Sequence, residues 1–158
     1  MEIINYFESS EKEHWLSEIE RCEWGAGKFL AALLKGMDTT YGTFENALGK
    51  GRLYLLAEGG TLISFAVLSE QDCIADKSMT PWLGFVYTYP EYRGHRYMGR
   101  IINRALCDAA AQGFDRVYVA TDHNGLYEKY GFSYLENRTS VWGEDDRVYV
   151  IRTDGGKL

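Results

Sequence analysis

The chain has 158 residues, of which 46% are hydrophobic and 25% charged, values typical of one globular domain and incompatible with wholesale disorder. Its 17 lysines and arginines against 23 acidic residues give a formal net charge of −6. Because nucleic-acid binding needs a surplus of basic side chains for phosphate contacts, we expect no nucleic-acid partner. We expect a single domain over residues 1–158.

The cysteines and the N-terminus indicate the compartment. Cys22, Cys73 and Cys107 are odd in number and lack paired spacing, which disfavours a disulfide framework or a zinc site and favours a reducing compartment. The three histidines share no metal-ligand spacing, so we expect no metal. The acidic N-terminus does not resemble a signal peptide, and no stretch is apolar enough to cross a bilayer. We therefore expect a cytoplasmic protein with no membrane partner.

The first half of the chain predicts helices and one hairpin. Ser10 and Glu13 have the spacing of a capping box at the start of a helix, and Glu58-Gly59-Gly60 separates two β-favouring runs, as in a hairpin. The predicted elements are a strand at 3–7, helices from Ser10 onward and at 24–35, a loop at 37–51, strands at 52–57 and 62–68, and a loop at 69–80.

The second half predicts a strand–helix–strand unit followed by a second hairpin. Its predicted elements are a strand at 82–89, a helix at 99–112, a strand at 116–121, a short helix at 126–130, and strands at 133–142 and 147–152. A strand–helix–strand of this length implies a parallel, right-handed crossover. The order of elements predicts an α/β (α+β) fold with a mixed sheet, because strict alternation is missing.

The segment 86–102 carries the strongest chemical signal. A predicted strand runs into Pro90, a loop containing Gly94 follows, and an amphipathic helix begins at once. This arrangement points free backbone N–H groups and the positive end of a helix dipole at one spot, which can bind phosphate. Arg93, Arg96 and Arg100 add positive charge there. The alternative is an ordinary β–α turn with solvated arginines.

Two motifs in this order resemble the GNAT family of N-acetyltransferases. The first is Tyr-Pro-Glu-Tyr-Arg-Gly at residues 89–94, followed by Gly99, and the second is Leu-Tyr-Glu-Lys-Tyr-Gly-Phe at residues 126–132. The close match spans residues 82–132. The resemblance implies a single-domain mixed sheet of about seven strands flanked by about four helices, with two central parallel strands splayed apart.

The resemblance also implies acetyl-CoA as co-substrate, with no metal. The pantetheine arm would pair with the backbone of the first splayed strand, and the pyrophosphate would bind the loop amides that follow. The cofactor-binding residues that it implies are Val86, Tyr87, Thr88, Arg93, Gly94, His95, Arg96, Tyr97, Met98, Gly99, Arg100 and Asn124.

The chain departs from the family pattern in three places. Arg96 and Met98 stand where the family's loop has small residues. Many members have an asparagine seven residues before the motif tyrosine, where this chain has Ala120; Asn124 lies closer and is carried over instead. Trp82 occupies the position at which histone-modifying members have a glutamate base.

By resemblance, a primary amine attacks the acetyl thioester directly in a ternary complex. A backbone N–H from residues 86–88 would stabilise the developing oxyanion, and Tyr127 matches the family's general acid. The general base stays open among Asp122 and His123, which end a strand where parallel sheets place their chemistry, the alternatives Glu70 and Asp72, and a water chain.

The acceptor is expected to be an amine of a small molecule or a peptide. In the family the acceptor is bound by the first two helices and the loop between them. The aromatic and acidic residues of this region would form a pocket for a cationic amine. The alternative is that the aromatic residues pack in the core and the carboxylates are solvated. These residues are Glu23, Trp24, Asp38, Tyr41, Phe44 and Glu45. The strand edges of the C-terminal hairpin also allow a homodimer.

Two other functions compete with the enzyme. One is a non-catalytic acyl-CoA-binding or interaction domain that retains the loop. The other is a nucleotide-binding module that uses the same helix N-terminus.

Overall fold

A computed structural model describes residues 1–36 and 41–154, which form a seven-stranded sheet in the order β1-β2-β3-β4-β5-β7-β6. Its strands are β1 (Glu2–Asn5), β2 (Gly51–Glu58), β3 (Thr61–Ser69), β4 (Trp82–Thr88), β5 (Arg116–Thr121), β6 (Ser133–Thr139) and β7 (Asp145–Arg152). Its helices are α1 (Lys12–Glu20), α2 (Gly25–Lys35), α3 (Phe44–Leu48) and α4 (Met98–Ala111), with 3₁₀ turns at Tyr6–Glu8, Pro90–Tyr92 and Tyr127–Tyr130. The predicted mixed sheet with about four helices is confirmed.

The helices cover both faces of the sheet because each has an apolar side. Helix α4 packs on one face through Ile101 and Ala105, which are buried. Helices α1, α2 and α3 cover the other face and bury Ile19, Leu30 and Phe44. Burying these stripes from water is the main driving force that holds each helix to the sheet.

The two central strands separate shortly after they pair. Strands β4 and β5 are parallel and share only the pairs Trp82–Tyr118 and Leu83–Val119. Beyond Leu83, the register of β4 against β3 shifts, and Phe85 has a positive φ of 50°. The shift is a bulge that bends the strand, so a wedge opens between the carboxyl ends of β4 and β5, as predicted.

The beginning of the chain differs from the prediction. The first strand ends at Asn5 because its side chain accepts a hydrogen bond from the Phe7 N–H (3.3 Å) and starts a 3₁₀ turn. The capping box predicted at Ser10 is wrong. Helix α1 begins at Lys12 with no side-chain cap, and the Ser9 hydroxyl accepts from the Glu11 N–H (3.0 Å) instead.

Two later segments also differ. The loop predicted at 37–51 contains helix α3 and the start of β2, while its residues 37–40 lie outside the described part of the chain. The strand predicted to reach residue 142 ends at Thr139, because the buried Ser140 begins a turn. In this turn the Ser140 N–H donates to the Glu144 carbonyl (2.7 Å). No helix in the described ranges is long and apolar enough to span a membrane.

Candidate active site

A groove of about 530 Å³ opens where β4 and β5 separate. Its walls are formed by the end of β4, the loop before α4, and the segment after β5. The lining residues are Trp24, Val86, Tyr87, Thr88, Tyr92, Arg93, Gly94, Arg96, Tyr97, Met98, His123, Leu126, Tyr127 and Tyr130. Two arginines and no carboxylates stand among them, so the groove favours an anionic ligand.

The loop between the β4 strand and α4 presents free backbone donors to this groove. Within the described residues, the N–H groups of the five positions Gly94 to Met98 have no hydrogen-bond acceptor. Helix α4 lacks a side-chain cap, so no carboxylate from residues 1–36 or 41–154 caps its N-terminus. Gly94 and Arg96 have positive φ angles of 90° and 57°, which turn successive amides toward one side. Such a nest of N–H groups binds phosphate oxygens.

Arg93 fixes the loop to the strand that precedes it. Its Nε donates to the Thr88 carbonyl (2.9 Å), and its guanidinium lies 5.4 Å from the centre of the Tyr87 ring. Tyr87 in turn stacks on Trp24, with ring centroids 5.3 Å apart and an interplanar angle of 5°. Strand, loop and helix α2 are therefore held together at the mouth of the groove.

A second cavity of about 330 Å³ adjoins the groove, with which it shares lining residues. It is lined by Trp24, Ala26, Asp72, Cys73, Gly84, Phe85, Val86, Val119, Ala120, Thr121, Asp122, His123, Leu126, Tyr127, Trp142, Glu144 and Asp146. Four of these are carboxylates and none is lysine or arginine. This cavity therefore favours a cationic ligand, the opposite of the groove.

Tyr127 stands at the junction, since it lines both the groove and the second cavity. Its side chain is only 6% exposed, and its hydroxyl makes no hydrogen bond within residues 1–36 and 41–154. Burial and then the charge of Asp72 raise the pKa of Tyr127. The phenol is therefore protonated at neutral pH and free to donate.

Asp72 brings a carboxylate close to this junction. Its Oδ1 accepts from the Cys73 N–H (2.7 Å). A Cβ on Gly84 would collide with its Oδ2, so the carboxylate lies directly against the β4 backbone. Burial, followed by the charge of Asp146, raises the pKa of Asp72 to about 6, although the bond from Cys73 opposes this shift.

Most of the predicted cofactor residues line the groove, and four do not. His95, Gly99, Arg100 and Asn124 are outside its lining. His95 contacts the Tyr97 ring (centroids 5.2 Å apart), and Gly99 faces the Tyr130 ring.

The residues predicted as general bases lie at the wedge but are exposed. Asp122 and His123 both line the second cavity, and their side chains are 85% and 68% exposed. The Asp122 Oδ1 lies 3.8 Å from the His123 Nε2. Glu70 lines another cavity and its carboxylate accepts from the Lys50 N–H (2.6 Å).

Of the residues predicted for the acceptor, Trp24 lines both cavities. Tyr41 accepts a hydrogen bond from the Trp142 indole (2.8 Å), and Trp142 lines the second cavity. Phe44 and Glu45 line a separate pocket beside α2. Glu23 is exposed and lines neither cavity of the wedge, and Asp38 lies outside the described residues.

Three residues of this region were missed by the sequence analysis. Glu144 and Asp146 were assigned only to a hairpin turn, and Gly84 only to a strand. An isolated glycine within an apolar strand often marks a close approach to the backbone, and this signal could have indicated Gly84. No group of three metal-binding side chains occurs in the part of the chain that the structure describes.

Comparisons with solved structures show the same fold. An aminoglycoside 6′-N-acetyltransferase complexed with coenzyme A is 14% identical, with a TM-score of 0.67 and 97% of each chain covered. A spermidine/spermine N-acetyltransferase from Vibrio cholerae is 15% identical, with a TM-score of 0.59, over 97% of this chain and 92% of the other. A GNAT family acetyltransferase from Elizabethkingia anophelis with acetyl-CoA bound is 16% identical, with a TM-score of 0.53, over 65% and 76%.

The family itself is shown by sequence. No curated protein matches the chain. The family model described as "Acetyltransferase (GNAT) domain" matches residues 30–135, which is more than half of the 158 residues. The match includes the loop amides and the buried tyrosine of the wedge. The chain therefore belongs to the GNAT family of acetyltransferases.

Proposed function

We propose that this protein transfers an acetyl group from acetyl-CoA to a primary amine of a small molecule or peptide, by direct attack in a ternary complex. The observation that carries the proposal is the meeting of two cavities of opposite charge at one buried tyrosine. The groove has two arginines and no carboxylate, and the second cavity has four carboxylates and no lysine or arginine. A polyanionic donor and a cationic acceptor can thus reach Tyr127 from two adjoining cavities.

The residues of the groove fit acetyl-CoA. The five free amides of residues 94–98, with Arg93 and Arg96, would hold its phosphates. Among the described residues, no strand pairs with β4 beyond Leu83 on the β5 side, so residues 86–88 can pair with the amides of the pantetheine arm, as an added strand pairs with a sheet edge. When bound, acetyl-CoA supplies the reactive acetyl thioester.

Tyr127 is proposed as the general acid. The residue is buried, and its hydroxyl has no hydrogen bond within the described residues, so the hydroxyl can donate to the leaving sulfur. The raised pKa of Tyr127 keeps the proton on its Oη until the sulfur develops negative charge. Proton transfer by a positioned side chain typically contributes about 10²- to 10⁴-fold in rate.

Asp72 is proposed as the general base in preference to Asp122 and His123. The ammonium form of the acceptor must lose a proton before attack, and a carboxylate with a pKa of about 6 is ionised at neutral pH yet more basic than an ordinary aspartate. Asp72 also lies close enough for its charge to affect Tyr127. Asp122 and His123 are mostly exposed, and solvent weakens their influence on a bound amine.

The reaction can be tested with acetyl-CoA and a panel of amines by following release of the CoA thiol. Tyr127→Phe is expected to lower kcat by at least about tenfold, since the proton donor is lost, while the Kd of acetyl-CoA measured by calorimetry changes little. Tyr134→Phe is the matched control because Tyr134 is 48% exposed on β6 and lines neither cavity.

Other outcomes identify the competing functions. Binding of acetyl-CoA without thiol release from any amine would favour a non-catalytic acyl-CoA-binding domain. Tighter binding of ATP than of CoA would favour a nucleotide-binding module. An equal loss of kcat and acetyl-CoA affinity in Tyr127→Phe would make the tyrosine structural.

A further inference from the structure

The second cavity carries more negative charge than one ammonium group can balance. Asp72, Glu144 and Asp146 line it, and none of them has an ion-pair partner within residues 1–36 and 41–154. The ion-pair contact of Asp122 within the described residues is with His123. The charge of Asp146 contributes to the raised pKa of Asp72, so these two carboxylates repel one another. A ligand with positive charge relieves this repulsion.

The loop that carries Glu144 is held in place rather than free in solvent. The buried Ser140 hydroxyl accepts from the N–H groups of Trp142 (3.3 Å) and Glu144 (3.2 Å). The Val141 N–H donates to the Cys73 carbonyl (2.8 Å), which ties this turn to the segment that carries Asp72. The carboxylates are therefore preorganised around the cavity, which lowers the entropic cost of binding a ligand.

An exposed tryptophan stands beside these carboxylates. Trp142 is 56% exposed, lines the second cavity and donates its indole N–H to the Tyr41 hydroxyl (2.8 Å). Trp24 lines the cavity as well. Aromatic faces next to carboxylates attract ammonium groups through cation–π contacts as well as charge.

The carboxylates of the cavity differ in exposure. The charge of Asp72 acts on Tyr127, a buried residue whose hydroxyl has no hydrogen bond in the described part of the chain. Glu144 is exposed, and Asp146 is half-buried at the start of β7, where its Oδ2 accepts from the Cys73 thiol (3.6 Å). One acceptor amine at Tyr127 leaves part of this negative charge unbalanced.

We propose that the acceptor carries a second cationic group besides the reacting amine, and that Glu144 and Asp146 bind this second group. This inference rests on the proposed function, because it assumes that the reacting amine lies at Tyr127. The acceptor class is a small primary amine with at least one further ammonium group. Linear polyamines and amino sugars with several amines share this chemistry.

The matched pair pentylamine and 1,5-diaminopentane tests the inference, because the two differ in one ammonium group. We expect kcat/KM to be about tenfold or more higher for the diamine, the size of an ion pair in a partly buried site. Asp146→Asn and Glu144→Gln should each reduce this preference to about threefold or less. Asp145→Asn removes a neighbouring charge that does not line the cavity and should keep the preference. Glucosamine and kanamycin form the corresponding pair of amino sugars. The pair that gives the higher kcat/KM shows whether the acceptor is a linear polyamine or an amino sugar.

Calorimetry with the same amines, without acetyl-CoA, separates the two hypotheses. Tighter binding of the diamine together with no thiol release from any amine would overturn the proposed function, and with it the assignment of the dication as an acceptor. Equal kcat/KM for both amines in an active enzyme would overturn the inference alone. The inference is also wrong if Asp145→Asn lowers the preference as much as Asp146→Asn does.

Discussion

Asp72 lies in a position that opposes its own ionisation. Its carboxylate packs against β4 at Gly84 and accepts a hydrogen bond from the Cys73 N–H. The nearby Asp146 adds repulsion. A carboxylate that is unfavourable for folding is expected where its basicity is used, since active sites commonly trade stability for reactivity.

Asp72→Asn tests this role through its pH dependence. In the native enzyme, kcat/KM for the amine should rise through pH 6 as Asp72, whose pKa is about 6, loses its proton and becomes able to act as a base. The asparagine variant should lack this step and lose at least about tenfold in kcat/KM above it. A pH profile from 5 to 9 that keeps the step in the variant would assign it to another group.

The same substitution should have the opposite effect on stability. The pKa of Asp72 is about 6 in the folded protein and about 3.9 in an unfolded chain, so the folded state binds the proton more tightly. The free energy of unfolding should therefore fall as the pH rises from about 4 to about 6. Asp72→Asn should lack this fall and be more stable than the native protein at pH 8, whereas Asp145→Asn serves as the neutral control.

At the scale of elements, the short helix α3 shows how local hydrogen bonds determine a boundary. The Thr43 hydroxyl accepts from the Asn46 N–H (3.3 Å), and the Asn46 side chain accepts from the Thr43 N–H (3.1 Å). This reciprocal cap starts a helix that buries Phe44 and Leu48.

Removal of this cap should be measurable in the whole protein. Thr43→Ala is expected to lower the free energy of unfolding by about 1 kcal/mol, because it leaves a helix N–H without its acceptor. Urea denaturation followed by circular dichroism measures the change. Thr43→Ser keeps the hydroxyl and should remain close to the native value; an equal loss in both variants would point to the methyl group instead.

The sequence predicted the long elements better than the short ones. The β-favouring runs and the α4 stripe have clear periods, and they form the predicted sheet and helix. Ser10 and Glu13 have the standard capping spacing but do not form the box, since Ser9 makes the turn contact instead. Thr43 and Asn46 form a box with a less usual partner and were assigned to a loop. A single hydrogen bond determines whether a helix starts at such a residue, and the amino-acid composition does not show which residue makes that bond.

At the scale of the whole molecule, charge is separated across the wedge although the chain is acidic overall. The net charge is −6, and the acidic residues of the wedge lie on the side of the second cavity. Sequence motifs predicted the groove because its donors are contiguous along the chain. They could not predict the second cavity, because Asp72 and Asp146 come from distant segments that meet only through folding.

The salt dependence of acetyl-CoA binding distinguishes attraction by the groove from repulsion by the net charge of the whole protein. If the amides and arginines of the groove dominate, the Kd of acetyl-CoA should rise about two- to fivefold between about 0.1 M and 1 M NaCl, as the Debye length falls from about 10 Å to about 3 Å. Arg96→Gln should reduce this dependence, and calorimetry measures both. If the net charge of −6 dominates, salt would instead screen repulsion and tighten binding.

Strands β4 and β5 are joined by two residue pairs. This short pairing divides the sheet into two halves, one formed by β1, β2, β3 and β4 and the other by β5, β7 and β6. The halves meet at the Trp82–Tyr118 and Leu83–Val119 pairs, and a separate apolar cluster surrounds the first of these. The cluster includes residues from both halves. We therefore expect a substitution in this cluster to affect both cavities together, whereas a substitution in one cavity wall should affect one ligand.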